Sequence, residues 1–158
     1  MPVTETRWLD NDEQRAWRRY LTMNAQLTAR LHRQLQADSG MSLADFDVLV
    51  KLTDSADGRA RVIELADSLQ WEKSRLSHHL ARMQRRELIT REDCPDDARG
   101  AFAVLTPHGR TAIEQAAPRH VNTVRELFFD QLTAEQVKSL ETSTENVLAH
   151  LENDSRTR

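Results

Sequence analysis

Apolar residues along most of this chain recur at steps of three and four, the spacing of amphipathic helices. Trp17, Leu21, Asn24, Thr28, Leu31 and Leu35 make one such seam, partly polar, which Tyr20, Met23 and Leu27 widen. It predicts a long helix from a cap at Asp10 or Asn11 to about residue 37, closed by Gly40. Ser42-x-x-Asp45 has the form of a capping box and predicts a helix over 43–52, with Phe46, Leu49 and Val50 turned inward. A turn follows over 54–61, marked by Asp57-Gly58. Leu65, Ala66 and Leu69 predict a short helix over 63–69, and Leu76, Leu80 and Met83 a second over 73–86. The pattern then weakens to alternation. Residues 88–93 and 101–105 predict two strands, the second with Phe102 and Val104 on one face, around a tip Pro95-Asp96-Asp97-Ala98-Arg99-Gly100. Thr106 caps a further helix with Pro107 at its first position. That helix runs through Ile113, bends at Pro118, and continues through Val121, Val124, Leu127 and Phe128. Thr133-x-x-Gln136 opens a last helix carrying Val137, Leu140, Thr144, Val147, Leu148 and Leu151, and 155–158 is a tail.

The helix over 73–86 has a second face. Opposite its leucines stand Lys73, Arg75, Ser77, His78, Arg82 and Arg85. One apolar stripe against one face of cations and short hydroxyls suits insertion into a nucleic-acid groove. The net charge of −3 at pH 7 argues against this until it is mapped along the chain. Between Glu72 and Arg91 stand Lys73, Arg75, Arg82, Arg85, Arg86 and Arg91 against Glu72 and Glu87 alone. Between Glu126 and Asp154 the balance is strongly acidic, with Lys138 the lone cation among seven carboxylates. Segregation of this kind governs binding more than the sum does.

The run IELADSLQWEKSRLSHHLARMQRRELITRE, followed by DDARGAFAVLTPHGR, resembles the winged helix-turn-helix of the MarR family of bacterial regulators. The second half carries the closest likeness: an Asp-x-Arg tip (Asp97, Arg99), a strand ending Leu105-Thr106, then Gly109. Gln70 and Glu87 stand where that family often has Gly, and Glu72 where it often has Ser or Thr. The fold class implied is mainly α with a small β-hairpin wing, a winged helix-turn-helix flanked by long dimerisation helices. Residues 42–105 would be the DNA-binding domain, and 10–38 with 107–152 the helical dimerisation region. A chain this small cannot readily bury three long apolar stripes against itself, and a second copy is the economical partner. In the family the terminal helices form that homodimer interface, and two-fold symmetry sets the two groove-reading helices about 34 Å apart on a pseudo-palindromic double-stranded DNA operator.

The resemblance implies a transcriptional regulator, a repressor released by a small aromatic or anionic effector. Ser74, Arg75, Ser77 and His78, with His79 beside them, lie at the end of the 73–86 helix that meets base edges. Lys73, Arg82, Arg85 and Arg91 suit phosphates, and Arg99 a narrow minor groove. For the effector the family layout gathers Trp17, Tyr20 and Met23 with Phe46. The alternative is a winged-helix protein-interaction adaptor without DNA binding, whose helix and wing would be expected to lack these arginines.

Other chemistries find little footing. Ser74 and His78 stand four apart, but no third group, oxyanion turn or phosphate loop accompanies them, so no catalytic residue is implied. The six histidines show no zinc-type spacing, and neither metal nor cofactor is expected. Cys94 sits among Glu92, Asp93, Asp96 and Asp97, which disfavour a thiolate and a redox role. No apolar run approaches the ~20 residues of a membrane span. No basic-then-apolar leader precedes the first helix, and a cytoplasmic protein is expected.

Overall fold

The computed structural model describes residues 5–94 and 97–157, and of residues 97–99 the backbone alone. Helix α1 spans Asn11–Ser39, α2 Leu43–Asp54, α3 Val62–Leu69, α4 Lys73–Arg85, α5 Pro107–Leu127 and α6 Ala134–Thr157. Strands are β1 Arg59–Arg61, β2 Ile89–Cys94 and β3 Asp97–Leu105. The chain divides into two compact units, Met1–Pro118 and Arg119–Arg158.

The helix starts follow local chemistry. Asp10 and Glu13 form a full capping box on α1, as Ser42 and Asp45 do on α2. Thr106 Oγ1 accepts from the Gly109 N–H at 2.9 Å at the start of α5, behind Pro107. At Gly109 an added Cβ would lie 2.0 Å from the Leu88 carbonyl oxygen, so α5 can abut that backbone only through a glycine. In the second unit, Thr133 and Gln136 exchange hydrogen bonds of 2.9 and 3.2 Å before α6.

The helix ends depart from expectation in their residues but not in their geometry. At the end of α3, Gln70 adopts the left-handed conformation with φ 55° and ψ 40°. Its N–H bonds Asp67 O and the Trp71 N–H bonds Ala66 O, the paired closure of a Schellman motif. Its side chain donates back to Asp67 O at 2.6 Å. After α4 the motif repeats: Glu87 has φ 61°, its N–H reaches Gln84 O at 2.9 Å, and the Leu88 N–H reaches Met83 O at 3.1 Å. Leu88 and Met83 are both buried. Both non-glycine residues thus supply the turns usually given to Gly.

The core of the first unit gathers Leu35 of α1, Val48, Leu49 and Leu52 of α2, Leu65 of α3, and Leu76, Leu80 and Met83 of α4. Val50, expected inward with Phe46 and Leu49, is half-buried, while Val48 is fully enclosed. The sheet has three strands, not the expected two. β1 lies inside the expected turn and pairs antiparallel with β3, giving the order β1-β3-β2. On β3 Ala103 is buried in the core and Ala101 and Leu105 pack against it; Phe102 and Val104 lie on the opposite face. Arg59 and Arg61 stack their guanidinium carbons 4.6 and 5.7 Å from the Phe102 ring centre. Helix α5 runs on through Pro118, and α6 reaches Thr157, so the expected tail is mostly helix.

A left-handed residue with a Cβ is strained by about 1–2 kcal/mol, against roughly 0.5–1 kcal/mol of extra chain entropy for Gly. Glu87→Gly is therefore expected to stabilise the fold by about 0.5–1 kcal/mol and raise the melting temperature by roughly 1–4 °C. Thermal unfolding followed by circular dichroism checks this; a lower midpoint contradicts the strain argument.

Candidate nucleic-acid interface

Helix α4 is divided lengthwise. Leu76, Leu80 and Met83 are fully enclosed, whereas Lys73, Ser74, Arg75, His78, Arg82 and Arg85 are exposed and Ser77 is half-buried. No acidic residue stands in its first turn and the side chain of the N-cap residue, Glu72, makes no capping hydrogen bond, while Arg82 and Arg85 lie in its last turn, where the helix dipole favours cations. The expected face of cations and hydroxyls is present as a surface.

One expected contact is corrected. His79 is 8 % exposed and faces the core side of the helix. Its Nε2 lies 2.9 Å from Asp45 Oδ1, and its Nδ1 lies 3.1 Å from an Arg82 guanidinium nitrogen. Arginine can only donate, which makes Nδ1 the acceptor of the Arg82 contact. His79 is one residue from the exposed His78, but a helix turns about 100° per residue, enough to move a side chain from groove to core.

Asp45 is the hub of this arrangement. Its carboxylate is almost wholly buried on α2 and accepts from the Ser42 N–H at 3.0 Å and from Arg86 Nη1 at 2.7 Å. Arg86 also donates to the Gly40 carbonyl at 3.2 Å. Burial works to raise the Asp45 pKa, but the hydrogen bonds from His79, Arg86 and Ser42 outweigh it and hold the carboxyl well below the usual carboxylate range. Two side chains from the α4 region are thereby fastened to the start of α2 and the end of α1. From sequence alone Asp45 is a cap and Arg86 one more surface cation.

Beside the first turn of α4 lies a cleft of about 300 Å³ lined by Arg61, Val62, Ile63, Lys73, Ser77, Arg91, Cys94, Gly100 and Ala101. It joins α4 to the base of the wing. Arg61 was missed by the sequence reading; its signal is the Arg59-Ala-Arg61 run before a helix, too short to register as a strand. Cys94 is buried here, next to an irregularity in the β2–β3 register. Arg61, Lys73 and Arg91 line the same cleft, while Asp96 and the side chain of Asp97 lie outside the described residues. The side chain of Arg99 and residues Pro95 and Asp96 lie outside the described residues.

The expected effector residues are not gathered into one site. Phe46 is buried in the core of α2, while Trp17, Tyr20 and Met23 are exposed on α1. Trp17 and Leu35, the α1 residue that enters the core, are eighteen positions apart, about 27 Å along a helix. Trp17 and Tyr20 stack on each other, ring centres 5.7 Å apart. Among the described residues, no three His, Cys, Asp or Glu side chains cluster as metal ligands.

Because its folded pKa lies below the unfolded value near 4, Asp45 stabilises the fold above that value, and the contribution is lost as pH falls beneath it. Asp45→Asn is expected to cost about 3 kcal/mol at neutral pH, leaving Arg86 without its carboxylate partner. It should also flatten the fall in stability below pH 5. Urea unfolding at pH 7, 5 and 3 checks both; equal pH slopes for parent and variant would refute the linkage.

The MarR family model matches residues 39–100. Sco3205, a MarR family transcriptional regulator from Streptomyces coelicolor solved in complex with DNA, is 44% identical with a TM-score of 0.89, over 94% of this chain and 92% of that one. AbsC, a MarR family transcriptional regulator from the same organism, is 41% identical with a TM-score of 0.87, over 94% and 99%. A cysteine-to-serine mutant of MarR from E. coli, complexed with operator DNA, is 26% identical with a TM-score of 0.76, over 90% and 99%. Comparison with curated proteins gave no match. A divided α4, a sheet at its flank, and identities above 40% over nearly the whole length lead to one conclusion: this chain belongs to the MarR family of transcriptional regulators.

Proposed function

We propose that this protein is a cytoplasmic repressor that binds a pseudo-palindromic double-stranded DNA operator as a homodimer and leaves it when a small effector binds. The observation that carries the DNA reading is the outward face of α4. Lys73, Arg75, His78, Arg82 and Arg85 project from a helix whose other face is locked in the core. Ser74, Arg75, Ser77 and His78 sit toward its N-terminal end and are assigned to base edges. Lys73, Arg82 and Arg85, with Arg91 and Arg61 at the wing base, are assigned to phosphates, and Arg99 to the minor groove. The DNA complexes solved for relatives support the same reading.

The dimer reading rests on apolar side chains left in solvent. Trp17, Tyr20, Leu21 and Met23 are exposed on α1, and Val147, Leu148 and Leu151 are more than half exposed on α6. Residues 10–38 and 107–152 are the proposed dimerisation region. The effector is a small aromatic or anionic molecule, with Trp17 and Tyr20 as its candidate contacts. It can release DNA only by preferring the conformation whose recognition helices are mis-spaced.

Two measurements test these assignments. Full-length protein at micromolar concentration is expected to sediment as a dimer, and a well-folded monomer would overturn that part. DNA selected from a random pool supplies the operator for the other. On it, Arg75→Ala is expected to cost about 1–3 kcal/mol and blur one base pair per half-site. Arg85→Ala should weaken selected and scrambled DNA alike and lower the salt slope by about 0.9 per lost phosphate contact, roughly doubled in a dimer. Equal losses for both variants on both sequences would refute base reading by α4.

A further inference from the structure

Trp71 occupies the turn between α3 and α4, half-buried against the core. Its N–H is bonded to Ala66 O at 3.0 Å, which ties its backbone to α3. The His79 ring meets it edge-on, centres 5.5 Å apart and planes at 88°. His79 is itself fixed by Asp45. Over the indole face lies the guanidinium carbon of Arg75, 4.5 Å from the ring centre.

Arg75 otherwise has little to hold it. It is exposed in the first turn of α4, where the helix dipole opposes a cation, and that turn contains no acidic residue. Among the described residues no carboxylate pairs with it. A free arginine samples many rotamers and loses them on binding; a stacked one has lost them beforehand. Stacking engages the face of the guanidinium plane, whereas recognition of guanine O6 and N7 uses N–H donors at its edge. The two contacts are therefore compatible in one geometry.

We propose that Trp71 is a positioning residue for base reading: its indole, braced by His79, sets the plane of the Arg75 guanidinium and so the preference for guanine in each half-site. This rests on the placement of Arg75 in the groove proposed above. The test uses full-length protein and four versions of the selected operator, differing at the base pair that Arg75→Ala blurs. Trp71→Leu is expected to reduce the guanine preference about fivefold per half-site, leaving affinity for scrambled DNA unchanged. Trp71→Phe, a weaker face, should fall between parent and Trp71→Leu. In the Arg75→Ala background, Trp71→Leu should have no further effect on preference.

Equal weakening on all sequences would mean a structural role only and overturn the proposal. Tighter binding by Trp71→Leu would also overturn it, since the ring would then be parking Arg75 away from DNA. If Arg75→Ala leaves the preference intact, the placement of Arg75 fails and this inference with it. If Arg75→Ala blurs the preference and Trp71→Leu does not, only this inference fails. Should thermal melting show Trp71→Leu to be unfolded, Trp71→Phe decides: a loss confined to the guanine operator supports the proposal, and an unchanged preference refutes it.

Discussion

The placement of the cationic face of α4 depends on one buried carboxylate. Asp45 starts as a local device, the third residue of α2 closing a capping box with Ser42. Because it is buried, its remaining hydrogen-bonding capacity must be met from elsewhere in the fold. Arg86 supplies a hydrogen bond and His79 approaches to 2.9 Å, and both belong to the α4 segment. An ion pair buried on one side is not a large net source of stability, since desolvation offsets most of the attraction. Its consequence is geometric. It ties the α4 segment to the start of α2, beside the buried stripe of Leu76, Leu80 and Met83 that turns the other residues of α4 outward.

The rotation of α4 decides the roles of adjacent residues. His78 and His79 differ in nothing that composition or charge can register, yet one is surface and the other belongs to the clamp. Arg82 faces outward and also donates to His79, so the outer and inner faces of the helix are joined by one hydrogen bond. Arg86, just past the last turn, is occupied with Asp45 and Gly40. A count of the cations in this stretch therefore includes one that is already engaged within the fold.

The ends of α3 and α4 illustrate a different constraint. Each closes with a Schellman motif although neither has the glycine that makes one strain-free. The motif persists because the residue after each turn is held by the core: Trp71 packs against it, and Leu88 is buried beside Met83. Tertiary burial of a few kcal/mol outweighs local strain of about 1–2 kcal/mol. The outer α1 and α6 surfaces show the opposite situation, with apolar side chains that this chain leaves in solvent.

What could be read from the amino-acid order was whatever depends on periodicity and local hydrogen bonding. The six helices, the caps at Asp10, Ser42, Thr106 and Thr133, and the apolar stripe of Leu76, Leu80 and Met83 are all of this kind. So is the likeness to the MarR family, carried by the α4 stripe and the wing motif. Three features were decided only by the tertiary structure. β1 is three residues long and exists because β3 offers it a ladder. The inward turn of His79 is set by α4 settling against α2, with a partner 34 positions earlier in the chain. Arg86 is engaged by Asp45 and the Gly40 carbonyl, 41 and 46 positions earlier, which no helix pattern reveals. In each case the deciding partner is distant in sequence, and no local pattern encodes a long-range contact.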